Sequence, residues 1–177
     1  MLLTSLLATA LLAATATANY GGVSLYNNCN QRIYSNTVTE GWTGPLNWIE
    51  PKTWFWVPYS YPSKGGVSMK LRKSKALSGP ITQLEYKHVN DGVTYYDLSN
   101  VDCGPTGQSS KGTCPFLSGG MLLRSDANWC PWRACKSGDK RCGEAYNLPK
   151  DDWATKACKM YDNNMVLYMC GRPKGWY

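Results

Sequence analysis

The stretch Gly79–Cys103, GPITQLEYKHVNDGVTYYDLSNVDC, decides how the rest of the chain is read. Two runs of alternating, β-favouring residues flank Asn90-Asp91-Gly92, a hairpin signal. In the first run Ile81, Gln83, Glu85 and Lys87 share one face, and Thr82, Leu84, Tyr86 and His88 share the other, because side chains alternate along a strand. The length of the turn sets what meets what. A two-residue turn at Asp91-Gly92 puts Glu85 opposite Leu98. A three-residue loop, with Gly92 in the left-handed position that glycine favours, puts Glu85 opposite Asp97. The glycine at the last loop position favours the second register. Two like charges directly opposite each other destabilise a sheet, so a chain that keeps them is expected to present them to a cation or a polar ligand.

Charge and compartment come next. Residues 1–18, MLLTSLLATALLAATATA, are apolar and end in the small-x-small pattern of a secretory cleavage site. They are read as a signal peptide rather than a membrane anchor, leaving residues 19–177, and no later stretch is apolar enough to span a bilayer. The formal net charge is +7. All eight cysteines follow the leader. In a secreted chain an even number reads as four disulfides. Seven of them lie between Cys103 and Cys170, with Cys29 alone in the first half. The first half must therefore hold itself by sheet packing while the segment of about 103–158 is stapled. With no Asn-x-Ser/Thr triplet, N-glycosylation is not expected.

Alternation continues elsewhere. Val23, Leu25 and Ile33 mark two short strands around a polar turn. Val67, Met69 and Leu71 point inward on another strand, with Ser68, Lys70 and Arg72 outward. A last strand covers Met165–Cys170. Between Glu40 and Pro62 stand Trp42, Trp48, Trp54 and Trp56 with Tyr59 and Tyr61. Rings in such a run most often fill a sandwich core or shield its edge, since aromatics dominate cores by the area they bury. The alternative is a surface on which sugar rings stack. Together these patterns predict a mainly β fold, an antiparallel sandwich with a smaller disulfide-rich loop region.

The pattern Glu85, Tyr96-Asp97, Val101-Asp102 resembles the thaumatin-like family. So does the run Ala-Tyr-x-x-Pro-x-Asp-Asp-x-x-Thr-x-x-Cys from Ala145 to Cys158. The chain is most similar to the family's short secreted fungal members. The resemblance covers nearly all of residues 19–177; it is strong at 79–103 and 142–170 and weak at 104–141. It implies a thaumatin-like domain with an acidic, ligand-binding cleft. Carried over by position, the cleft comprises Arg72 (with Lys70 as the fallback), Glu85, Asp97, Asp102 and Asp151 or Asp152, of which Asp152 is preferred. It also implies the pairs Cys29–Cys170, Cys103–Cys158, Cys114–Cys142 and Cys130–Cys135. The first of these closes so long a loop that it restricts the unfolded chain by about 4–5 kcal/mol in the entropic model. Because Asp97 and Asp102 are five residues apart, a straight strand points them to opposite faces, and a shared cleft needs a bend between them.

Much chemistry is excluded. The one histidine, His88, has no serine partner singled out for it and is read as a spectator. A histidine-based metal site, a histidine acid–base ribonuclease and a phosphate-cradling glycine loop all lack their residues. No cofactor, metal or nucleic acid is therefore expected. Three function classes remain. The first is a secreted protein of the cell wall or spore surface that binds β-1,3-glucan in wall assembly, growth or spore germination. The second is an adhesin or effector that uses its basic and aromatic surface to bind host-cell or matrix proteins, with a part in virulence. The third is a weak endo-β-1,3-glucanase, for which two carboxylates flanking a bond are the minimum. The resemblance favours binding over catalysis, because many relatives bind glucan with little or no hydrolysis.

Overall fold

The computed structural model of the protein describes residues 21–104, 112–160 and 162–171. The expected signal peptide and the basic, aromatic chain end after Gly171 lie outside these residues. Among the described residues twelve strands run in chain order: β1 (Gly22–Asn27), β2 (Ile33–Thr39), β3 (Trp42–Thr43), β4 (Asn47–Ile49), β5 (Trp54–Pro58), β6 (Val67–Arg72), β7 (Thr82–His88), β8 (Val93–Ser99), β9 (Met121–Ser125), β10 (Arg133–Cys135), β11 (Lys156–Lys159) and β12 (Met165–Met169). They form two sheets. The smaller has the order β10-β9-β12-β1-β5; the larger has the order β11-β8-β7-β6-β2-β3, with β4 also on β2. The protein is mainly β, a sandwich of two sheets.

Alternation explains how the layers meet. Val23 and Leu25 of β1, Met69 and Leu71 of β6, Leu84 and Tyr86 of β7, and Tyr96 and Leu98 of β8 are buried in one core. Their strand neighbours face outward. The two runs at the start, β1 and β2, do not form a hairpin: β1 pairs with β5 and β12, whereas β2 pairs with β3, β4 and β6. Buried Asn27 secures this change of sheet. Its amide nitrogen donates to the carbonyls of Gln31, Ile49 and Glu50, and its oxygen accepts from the Cys29 amide. Side-chain bonds of this kind satisfy backbone groups that no ladder reaches.

The two ends of the described chain meet as a parallel pair, β1 beside β12. Just beyond both strands Cys29 is bonded to Cys170, a sequence separation of 141 residues. The other pairs are Cys103–Cys114, Cys130–Cys158 and Cys135–Cys142. This corrects the inner pairs implied by the resemblance, Cys103–Cys158, Cys114–Cys142 and Cys130–Cys135. The reason is local. Cys135 ends β10, and a turn brings Cys142 back to it after 7 residues. Cys158 lies on β11 at the edge of the larger sheet, where it reaches Cys130. Two of the inner bridges thus close short loops. Segment 103–158 also feeds both sheets, giving β9 and β10 to one and β11 to the other. Its Phe116, Leu117, Met121 and Leu123 share the core of the sandwich.

Candidate functional site

The hairpin of β7 and β8 has the register in which Glu85 faces Asp97. Its loop is Asn90–Gly92, closed by the Val89 amide donating to the Val93 carbonyl at 2.9 Å. Gly92 has φ 78° and Asp91 has φ 75°. Such values suit glycine and are tolerated by aspartate. Three loop residues rather than two fix the parity of every pair below them, so the acids share the outer face.

A cleft of about 490 Å³ opens over this face. Glu85 and Asp97 line it, together with Tyr95, Tyr146, Val38 and Thr39. Asp97 is only 9% exposed. Its Oδ1 is buried without a hydrogen-bond partner among the described residues. Burial, with the Glu85 charge opposite, pushes the Asp97 carboxyl up to about 7, against a pull downward from the Thr155 hydroxyl. Burial also raises Glu85, partly offset by Ser99, Lys70 and Ser68, while Asp102 adds to the rise. The cleft therefore holds two opposed carboxyls, both raised above the ordinary carboxylate range by burial.

The remaining acids reach the site in different ways. β8 stops at Ser99, and a turn follows in which the Cys103 amide donates to the Asn100 carbonyl. This turn is the bend that lets Asp102 return to the outer face, where its Oδ2 lies 3.8 Å from Lys70 Nζ. Asp152 sits in a short 3-10 turn, Asp152–Ala154. Tyr146 holds it, its hydroxyl 3.2 Å from Asp152 Oδ1 and 2.7 Å from Thr155 Oγ1. Asp152 therefore connects to Asp97 through Tyr146 and Thr155. Asp151 does a different job. Its Oδ2 accepts from the amides of Asn147 and Leu148 at 3.0 Å each and fixes that turn.

Arg72 is not brought to the pair. On the β6–β7 ladder Ser68 lies opposite Glu85 and Lys70 opposite Gln83. Arg72 is four positions beyond Ser68, about 13 Å along a strand. It is buried, and its guanidinium donates to Asn36 Oδ1 at 2.7 Å. Lys70 is the cation that acts on Glu85 and Asp102. Tyr95 and Tyr146, which line the cleft, and Thr155, which acts on Asp97, were not singled out for the site in the sequence. Tyr95 was reachable by parity, being two residues before Asp97. The other two belong to the Ala145–Cys158 run.

His88 stands apart from the cleft. Its Nδ1 meets Thr94 Oγ1 at 2.7 Å, and the rings of Tyr59, Tyr61 and Tyr86 surround it. Burial holds it down at about 4, so it is neutral at pH 7. Among the described residues no group of three or more His, Cys, Asp or Glu side chains is placed to hold a metal ion. Likewise, no helix there is long and apolar enough to cross a membrane.

A two-sheet β fold closed end to end by a disulfide, with an acidic pair opposed across one hairpin, defines a thaumatin-like protein. The family described as Bys1, Blastomyces yeast-phase-specific protein, matches residues 10–171, and the chain belongs to that family. A curated relative, the antigenic thaumatin-like protein of Arthroderma benhamiae, is 32% identical over 97% of this chain and 83% of its own length. Two solved structures share the fold. One is the protein elicitor MoHrip2 from Magnaporthe oryzae, with TM-score 0.65 and 21% identity over 85% of this chain and 98% of that one. The other is the thaumatin-like xylanase inhibitor TLXI, with TM-score 0.52 and 13% identity over 84% of this chain and 98% of that one. Four disulfides fit an extracellular, oxidising setting for a protein of this kind.

Proposed function

We propose that this protein is a secreted, wall- or surface-associated glycan-binding protein that takes a β-1,3-glucan chain in the cleft over Glu85 and Asp97. The observation that carries this reading is the buried Oδ1 of Asp97, without a partner among the described residues, opposite Glu85 in an open cleft also lined by Tyr95 and Tyr146. A buried polar atom without a partner costs free energy, and a turn of the Asp97 side chain into the cleft would let a sugar hydroxyl satisfy it. Carboxyls bond hydroxyls as acceptors when ionised and as donors when protonated. Tyrosine walls supply flat apolar contact and hydroxyls of their own.

Binding is favoured over hydrolysis. A glycosidase needs one carboxyl kept protonated as acid and a second free as nucleophile or base. Here Asp97 is the acid with an oxygen left to meet a ligand, and Lys70 holds Glu85 toward its charged form. The test is retention of the purified protein on insoluble β-1,3-glucan, with sugar release assayed in parallel. Retention lost in Glu85→Gln and Asp97→Asn, with no soluble product from the parent, supports the reading. Product release that depends on both acids would convert it to a glucanase.

A further inference from the structure

A second surface lies on the opposite side of the molecule, on the outer face of the smaller sheet. None of the four tryptophans between Glu40 and Pro62 is in the core. Trp42, Trp48, Trp54 and Trp56 are 52%, 61%, 55% and 51% exposed. This overturns core filling as the reason for the aromatic run. Trp54 and Trp56 are two residues apart on β5, the edge strand of that sheet, so both rings face outward about 6.6 Å apart along the strand. Phe55 and Val57 between and after them pack on the core.

Both rings are held in place rather than loose. Trp54 lies 4.7 Å from Tyr26 on the neighbouring strand and meets Tyr168 edge-on at 5.6 Å, and Tyr26 and Tyr168 are themselves in edge contact. The indole of Trp56 donates to Asn164 Oδ1 at 3.2 Å. It crosses β1 over Gly22, where a Cβ would come within 2.6 Å of the indole nitrogen. Glycine at this position is what lets the ring lie flat. An exposed pair of large rings, each fixed by its own contacts, binds with little further loss of side-chain freedom.

The charge of this face selects its occupant. The outward positions of β1, β5, β9 and β12 include Ser24, Tyr26, Trp54, Trp56, Leu122 and Arg124, with Val166 and Tyr168 beside them. Among these described positions there is no acid, and Arg124 lies over the Tyr168 ring at 6.0 Å; two residues on, the exposed Asp126, which accepts from Asn164 beside Trp56, offsets its charge. In a chain of net charge +7 this face is close to uncharged, which is a poor match for an anionic polymer or membrane. The electron-rich ring faces are complementary to the weakly positive C–H groups on the flat side of a sugar. We infer that Trp54 and Trp56 form a docking platform for the flat face of an uncharged, insoluble polysaccharide, independent of the acidic cleft.

The test is depletion of the full-length secreted protein from slurries of microcrystalline chitin and microcrystalline cellulose. The parent should be depleted by at least one of them. Trp54→Ala and Trp56→Ala should each bind it about tenfold more weakly, as expected for the loss of one stacked ring. Trp56→Tyr should recover part of the loss, and Trp48→Ala and Glu85→Gln should bind like the parent. Loss in Glu85→Gln alone would assign the binding to the cleft and overturn the platform. Because Trp54→Ala removes packing on Tyr26, oxidation of the parent protein gives a second readout: Trp54 and Trp56 should be protected on the polysaccharide while Trp48 and Trp129 are not. No depletion of the parent by either solid, depletion of both alanine variants equal to that of the parent, or a parent dimer that Trp56→Ala dissolves would each overturn the proposal, the last assigning the face to a second copy of the chain.

Discussion

Asp97 faces Glu85 directly across the β7–β8 ladder, and one oxygen of Asp97 is buried without a partner among the described residues. Two carboxyls so placed work against the fold when both are ionised. The site is therefore expected to be held at some cost in stability, as ligand sites often are.

The cost has a pH signature. In the folded chain Asp97 is raised from 3.8 to about 7. Between those values the folded state holds a proton that the unfolded state has released, so stability falls as pH rises through that window. Each tenfold difference in proton affinity between the two states corresponds to about 1.4 kcal/mol. Asp97→Asn should therefore stabilise the protein by a few kcal/mol at pH 8 and leave it nearly unchanged at pH 3. Urea unfolding at both pH values measures this. A variant less stable than the parent at pH 8 would contradict the account of Asp97.

Lys70 and Arg72 should separate cleanly. Lys70 pulls Glu85 downward and pairs with Asp102. Lys70→Ala should raise the Glu85 pKa further, seen by carboxyl NMR titration, with a change in stability of no more than about 1 kcal/mol for an exposed pair. Arg72→Ala should leave that titration in place. It should nevertheless destabilise the fold by about 1–3 kcal/mol, because Asn36 Oδ1 loses its buried donor.

His88 sets part of the acid limb. Its folded value, about 4, lies below the ordinary 6.5 because burial disfavours the charged ring. Its contribution is present above pH 6.5 and is lost as pH falls from 6.5 toward 4, where only the unfolded state takes the proton. His88→Phe keeps a ring among Tyr59, Tyr61 and Tyr86. As pH falls from 6.5 to 4 the variant should gain stability relative to the parent, as read by thermal unfolding across that range.

The disulfides make a discrete prediction. A non-reduced peptide map should join Cys103 to Cys114, Cys130 to Cys158 and Cys135 to Cys142. Replacing Cys29 and Cys170 together by serine should destabilise the protein by about 4–5 kcal/mol, given the 141-residue separation. A map that joins Cys130 to Cys135 would contradict the arrangement of β10 and β11.

What the sequence disclosed follows what is local. The inner faces of β6, β7 and β8 were legible because a half-buried strand must alternate. The Glu85–Asp97 register was legible because Gly92 fixes the loop length. Features that depend on distant chain were not. The parallel pairing of β1 with β12 leaves no mark in either segment. Consecutive strands β1 and β2 read like a hairpin but belong to different sheets. The inner cysteine pairs depend on where turns return the chain, which spacing does not reveal. The tryptophans of the 40–62 run read as core or edge by composition, and only the strand pairing shows that Trp54 and Trp56 lie on an edge strand with their rings outward. Arg72 pointed to the expected face, but only the ladder shows it to be two positions too far along and Lys70 to be the residue in reach.

The central claim is that the carboxyl pair under the cleft binds glycan at the expense of stability. It is tested most directly by measuring, on one preparation each of the parent and Asp97→Asn, both retention on insoluble β-1,3-glucan and unfolding free energy at pH 8. The account predicts opposite responses: Asp97→Asn unfolds at higher denaturant and is retained at least severalfold less. Retention equal to that of the parent in a variant that has gained stability would show that the cleft carries strain without a glycan to meet it.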